Sequence, residues 1–183
     1  CRRIWEREGR TYDWGQLTEA ATTSEPLVSL INPDDARFVA PDDMPATIRQ
    51  YCSETGQPVP ESDGAVIRCA LESLALRYRM VLNWLEELVR SELKTVHIVG
   101  GGTQNRLLCQ RAADACGRPV VTGPIEATAI GNIMMQAVAD GAVASIGEAR
   151  DVIRSSFEVE LYTPQESTLW NEAYARFEKL PAS

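Results

Sequence analysis

The sequence predicts a helix-rich α/β fold in which short parallel strands alternate with helices. Two β-branched runs, at 95–99 and 119–123, are each followed by glycine and then by a helical pattern. A long amphipathic pattern at 67–88 precedes both runs. Two strands are too few for a stable sheet, so we expect further strands and place them upstream of Cys1.

Composition is that of one globular domain. The chain has 183 residues, of which 44% are hydrophobic and 24% charged, which argues against intrinsic disorder. Its net charge is -8 and it has no long basic run, so we expect no nucleic-acid partner. Apolar stretches are interrupted by charges and the N-terminus has no apolar leader, so we expect no membrane span and a cytoplasmic location. Because it starts at a cysteine inside an amphipathic pattern, we interpret the chain as a fragment.

The first half of the sequence reads as helices joined by a loop. Two short helices are predicted over roughly the first 20 residues, the second opening at Asp13 with Gln16 as its capping-box partner. Residues 22–44 carry Asn, Asp and Pro in loop-like clusters. Another helix is predicted from near Pro45 to just before Gly56.

The clearest element is a long helix after Ser62. Apolar side chains recur along it at spacings of four and three, which is typical of an amphipathic helix. These side chains form a stripe of Ile67, Leu71, Leu74, Tyr78, Val81, Leu85 and Leu88. The stripe would suit either packing against a sheet or a short coiled-coil seam, and we predict packing against a sheet.

Two strand–helix units follow. The run TVHIV meets three glycines, and a helix is predicted over 103–116, ended by Gly117. The run PVVTG leads to a helix over 127–140, which is apolar nearly all round and is therefore expected to be buried. The pairs Ser145 with Glu148 and Thr163 with Glu166 resemble capping boxes that would open the last two helices.

The five cysteines and the single histidine indicate no metal site. No CxxC pair occurs and His97 cannot complete a familiar zinc set. Cys109 and Cys116 are predicted to be buried on one helix face. Cys52 and Cys69 flank a turn rich in Gly and Pro, so we expect them to be near neighbours.

The three glycines are candidates for binding a phosphate-bearing ligand. Glycine lets a ligand approach the backbone, and the following helix N-terminus presents unpaired N–H groups. No lysine of a Walker A loop is present, and Asn105 stands where the dinucleotide fingerprint has its third glycine. The residues by themselves also fit a purely structural turn.

The segments HIVGGGTQN, ADACG and GPIEATAIGN, in this order and spacing, resemble the C-terminal nucleotide-binding domain of the FGGY carbohydrate kinases. The likeness is closest to the rhamnulokinase branch. It runs through most of the chain, including NPDDARF, PDDMPATIRQYC and RCALESLALRYR.

This resemblance implies a two-domain enzyme of the actin-like ATPase or ribonuclease H-like superfold, with nucleotide and sugar in the cleft between the domains. Residues 1–183 would be part of the second, nucleotide-binding domain, lacking its first strands, and the sugar and phosphate-loop domain would lie outside this chain. The implied reaction is transfer of the γ-phosphate of ATP, with Mg2+, to the 1-hydroxyl of L-rhamnulose.

The resemblance also assigns the nucleotide site. Gly100, Gly101 and Gly102 would approach ATP or ADP, Asn105 would lie by the adenine, and Gln104 would line the site. The family's D-x-G-[ST] phosphate loop and catalytic aspartate have no counterpart here, so we assign no catalytic residue and no metal ligand and expect the chain alone to be inactive. Two alternatives stay open: a non-catalytic nucleotide-sensing or interaction module, and a purely helical interaction protein with its long stripe facing solvent.

Overall fold

Eight helices and a small sheet make up the described part of the chain, residues 1–165 and 168–181 of a computed structural model. The helices are α1 (Arg2–Arg7), α2 (Trp14–Thr23), α3 (Met44–Glu54), α4 (Asp63–Val89), α5 (Arg106–Cys116), α6 (Ala127–Ala139), α7 (Ile146–Ser156) and α8 (Thr168–Phe177). The strands are β1 (Val96–Ile98), β2 (Val120–Thr122) and β3 (Leu161–Tyr162). None of the helices in these two ranges has the length and apolarity of a membrane span.

The sheet has the order β1-β2-β3. β1 and β2 run parallel, with Val96 opposite Val120, as the two β-branched runs predict. β3 lies antiparallel to β2, with Leu161 opposite Val121. We expected the additional strands upstream, so β3 is a downstream strand that the sequence analysis missed. Only two residues of β3 pair, which is too short a run to show an alternating pattern.

Local start and stop signals are confirmed where side chains cap the helices. Asp13 and Gln16 form the complete capping box at the start of α2, and Ser62 caps α4. Gly117 ends α5 in a left-handed conformation with φ of 60°. The Ser145 hydroxyl caps α7. The predicted cap at Thr163 is wrong as placed, because α8 begins at Thr168; its partner Glu166 lies outside the described residues.

α4 is the central helix, but not in the way that we predicted. It packs on α2, α3, α5 and α8 rather than on the sheet. The prediction that its apolar stripe packs against a sheet is therefore wrong, both in the packing partner and in the face of the helix that is buried. The buried face follows Val66, Cys69, Ser73 and Leu76, while Leu88 at the end of the predicted stripe is 79% exposed. The reason is that the buried face carries polar side chains that form hydrogen bonds with neighbouring segments. A prediction based only on the spacing of apolar residues does not include them.

Three apolar clusters hold the chain together. One joins α1–α4 around Trp5 and Tyr51, one joins α4, α5 and α8 around Leu76 and Trp170, and one joins α5 to the sheet around Val120. α6 belongs to none of them and has no buried residue, so the expectation that its apolar sequence would be buried is wrong for this chain.

Cys52 and Cys69 lie in the α1–α4 cluster and each thiol shifts the pKa of the other, which confirms that they are neighbours. Both are free thiols. Cys109 and Cys116 are buried, also as predicted.

Candidate functional site

The candidate site lies where the two parallel strands end. The turn after β1 begins at Gly100, whose N–H donates to the Pro124 carbonyl at 3.1 Å. The Gly123 N–H donates in turn to the Ile98 carbonyl at 2.8 Å. A Cβ on Gly123 would lie 2.8 Å from a Val99 methyl carbon, so any side chain at Gly123 would force Val99 to shift. The carboxyl ends of parallel strands are where open α/β sheets usually bind ligands.

The three glycines differ in what the fold requires of them. Gly100 has φ of +79°, a conformation that side chains rarely adopt. Gly101 has no positive φ, and a Cβ there would meet no atom within 4 Å. The segment Gly100–Gln104 forms a 3₁₀ turn, so α5 starts three residues later than predicted. The fold therefore explains Gly100, while Gly101 borders open space and is left without a structural requirement.

Asn105 and Gln104 have different surroundings. The Asn105 side-chain oxygen accepts a hydrogen bond from the Leu108 N–H at 3.0 Å and so caps α5. Its amide nitrogen has no such role among the described contacts. Gln104 is exposed and lines a groove together with Arg106. The structure thus brings the predicted residues together in one turn, and Asn105 has a capping role that the sequence analysis did not assign to it.

The groove beside the glycine turn is closed on its other side by α2. Its volume is about 510 Å³, within the range of small-molecule sites. Trp14, Gly15, Thr18, Glu19, Thr22 and Thr23 supply the α2 wall. This wall was not predicted from the sequence, because its residues lie some 80–90 positions before the glycine turn and only the tertiary fold places them beside it.

A buried arginine of α4, paired with a glutamate of the same helix, fastens α4 to the end of α2. The Arg68 Nε donates to Glu72 at 2.8 Å, and both side chains are almost completely buried. Arg68 Nη1 also donates to three carbonyls at the end of α2, those of Ala21, Thr22 and Ser24. Burial raises the pKa of Glu72, because a carboxylate loses solvation in the core, and Arg68 opposes that shift. The α2 wall is therefore held by polar bonds as well as by apolar packing.

Over residues 1–165 and 168–181, no three His, Cys, Asp or Glu side chains converge as a metal ion would need.

Comparison with known protein families decides the relationship. The family described as "FGGY family of carbohydrate kinases, C-terminal domain" matches residues 1–139, about three quarters of the chain. The chain belongs to the FGGY family of carbohydrate kinases. The glycine turn and the α2 wall both lie inside the matched FGGY region.

Curated relatives of this FGGY chain include several rhamnulokinases. The rhamnulokinase of Bacteroides thetaiotaomicron is 46% identical over 179 residues, covering 95% of this chain and 37% of the relative. Those of Pectobacterium atrosepticum and Bacillus subtilis are 45% and 40% identical, covering 92% and 85% of this chain and 34% and 32% of the relatives. The chain spans about a third of the length of the curated relatives it matches.

Solved structures of a xylulose kinase and a glycerol kinase share the fold. The xylulose kinase of Rhodospirillum rubrum superposes with a TM-score of 0.65 at 20% identity, over 91% of this chain and 33% of that one. The Plasmodium falciparum glycerol kinase with ADP gives 0.64 at 14% identity, over 96% and 36%. The chain therefore has the fold of the C-terminal domain of the actin-like ATPase superfold, as the resemblance implied.

Proposed function

We propose that this chain is the C-terminal, ATP-binding part of a kinase that transfers the γ-phosphate of ATP to the 1-hydroxyl of L-rhamnulose. The observation that carries the proposal is the 46% identity to a rhamnulokinase over 95% of the chain. A non-catalytic nucleotide-sensing module is not favoured, since the three relatives described above, at 40–46% identity, are rhamnulokinases.

The geometry of the site supports a nucleotide at the glycine turn. Gly101 leaves open space where a phosphate or sugar oxygen would approach the backbone, and the adjoining groove has room for a nucleoside. The structural relative from Plasmodium falciparum is described with ADP. In this proposal Gly101 and Gly102 face the ligand, while Gln104 and the Asn105 amide line its nucleoside end.

The chain's part in the reaction is binding and orientation. ATP would supply the transferred phosphoryl group, and holding it in line with the sugar hydroxyl is the main source of catalysis in phosphoryl transfer. We assign the base, the sugar contacts and the Mg2+ ligands to the rest of a longer polypeptide. A cytoplasmic location stays a prediction.

The test is made in the full-length kinase with Gly101→Val. A Cβ at Gly101 would meet no protein atom within 4 Å, so the variant should fold and raise the ATP KM by about tenfold or more while the L-rhamnulose KM changes little. Asn105→Ala should give a smaller rise of the same kind, because one neutral hydrogen bond contributes roughly 0.5–1.5 kcal/mol.

Gly100→Ala serves as the structural comparison, since its cost comes from the positive φ and should appear in thermal unfolding. A folded Gly101→Val enzyme with an unchanged ATP KM would remove the nucleotide from this turn. An enzyme that phosphorylates another ketose but not L-rhamnulose would overturn the substrate assignment alone.

A further inference from the structure

We infer that the α2 wall receives the base of the nucleotide, with the indole of Trp14 as its stacking surface. The inference rests on the proposed function, because it requires a nucleotide at the glycine turn. It adds a positioning residue on an element that carries none of the residues assigned so far.

The groove has the shape that a base beside the glycine turn would need. Gln104 and Arg106 form one side, and α2 forms the other. Trp14, Thr18 and Thr22 are four residues apart, so they lie in a row along one face of the helix. Leu17 and Ala21, on the adjoining face of α2, are buried, whereas Trp14 and Thr22 are exposed, so the row lies at the edge of the core and faces the groove.

Trp14 is the most exposed of the four tryptophans. It is 70% exposed, although burying a tryptophan is strongly favourable. The Arg2 guanidinium lies 5.0 Å from the centre of its ring, which leaves most of the indole uncovered. A planar aromatic base stacked on this surface would remove apolar area from water without any rearrangement of the core.

The polar atoms of the wall indicate what kind of base fits. The Thr18 hydroxyl donates to the Trp14 carbonyl and the Thr22 hydroxyl to the Thr18 carbonyl, both at 2.8 Å. Both hydroxyl protons are therefore already donated, and the two hydroxyl oxygens can only accept hydrogen bonds from a ligand. Glu19 adds a carboxylate, which is also an acceptor. Gln104 and Arg106 can donate from the facing side of the groove, so the selection is made at α2, where these acceptors favour a 6-amino purine, whose exocyclic group donates, over a 6-oxo purine.

The wall is rigid enough to select a ligand. Arg68 holds the last turn of α2 through three carbonyls, and Gly64 lets the Ala20 carbonyl approach α4 closely. A site that is already formed loses less entropy when the ligand binds.

The experiment uses the full-length kinase and compares Trp14→Ala, Trp14→Phe and Trp84→Ala. Trp84 is a matched control, because it is 51% exposed and has the Arg77 guanidinium 4.6 Å from its ring, yet lies outside the groove. Binding of ATP, ITP and inorganic tripolyphosphate is measured by calorimetry, together with the KM for ATP and for the sugar.

We expect Trp14→Ala to weaken ATP binding about tenfold, with tripolyphosphate binding, kcat and the sugar KM unchanged. Trp14→Phe should keep most of the ATP affinity, and Trp84→Ala should match the wild type. The wild type should bind ATP more tightly than ITP, and Trp14→Ala should bind both weakly.

Unchanged ATP affinity in Trp14→Ala would overturn the inference and leave the proposed function standing. An equal loss for ATP and tripolyphosphate would also overturn it, since Trp14 would then act on the fold. Absence of ATP binding in the wild type, with the protein folded, would remove the proposed function and this inference together.

Discussion

The position of α2 depends on one residue, Arg68. It is 5% exposed and joins Glu72 to three carbonyls that would otherwise have no partner after α2 ends. A complete buried ion pair contributes little net stability. Removing one partner is strongly destabilising, because the remaining charge stays buried without solvation or a partner.

Arg68→Met should therefore lower the free energy of unfolding by about 3 kcal/mol or more. The measurement is urea unfolding followed by circular dichroism. Arg154→Met is the matched control, since Arg154 and its partner Asp151 are 70% and 71% exposed, and it should change stability by less than about 0.5 kcal/mol. Equal effects of the two variants would contradict the role given to Arg68.

The cysteines offer a second test at this scale. Cys1 is partly exposed and the other four are buried. Burial raises the pKa of Cys116 to about 11, while the hydrogen bond from Cys69 lowers the pKa of Cys52. A thiol must be both ionised and accessible to react.

In the native chain we expect one thiol to react quickly with a disulfide reagent and all five to react after denaturation. Mass spectrometry of the labelled peptides should place the fast site at Cys1. Rapid labelling of Cys52 in the folded chain would show that the α3–α4 contact opens readily.

Gly64 allows α2 and α4 to pack closely together. A Cβ on this residue would lie 2.3 Å from the Ala20 carbonyl oxygen, which belongs to the backbone of α2 and cannot turn aside. Gly64→Ala should push α2 away from α4 and lower the free energy of unfolding by about 2 kcal/mol.

The matched control for Gly64 lies in α6. A Cβ on Gly131 would meet nothing within 4 Å, so Gly131→Ala should raise stability by about 0.5–1 kcal/mol through helix propensity. Thermal unfolding of both variants checks the pair. A Gly64→Ala variant as stable as the wild type would mean that the two helices are free to separate.

At the same scale, the sequence predicted what is local and missed what is tertiary. Asp13, Ser62 and Gly117 act within their own helix ends, so their residue types alone indicated the boundaries. The buried face of α4 depends on Arg68 and Glu72 meeting distant backbone, and no periodicity encodes that. For the same reason the glycine turn of the candidate site was predictable, and the α2 wall opposite it was not.

For the whole molecule, the chain of residues 1–183 by itself should not phosphorylate L-rhamnulose with ATP. It covers about a third of the length of its relatives, and we assign the base and the sugar contacts to the remainder. A coupled assay of the chain, beside the full-length kinase as a positive control, checks this. Turnover by the chain at about 1–100 per second would overturn that assignment.

The uncovered end of α4 has a consequence for handling the chain in solution. Leu85, Leu88 and Val89 remain 44%, 79% and 51% exposed on a molecule whose net charge is -8. Mutual repulsion keeps such molecules dispersed at low ionic strength, but the Debye length falls to about 3 Å at 1 M salt. Adding salt should thus cause the chain to aggregate, which light scattering would detect. Leu88→Glu should raise the salt concentration needed for aggregation, because it places a charge within the exposed apolar surface.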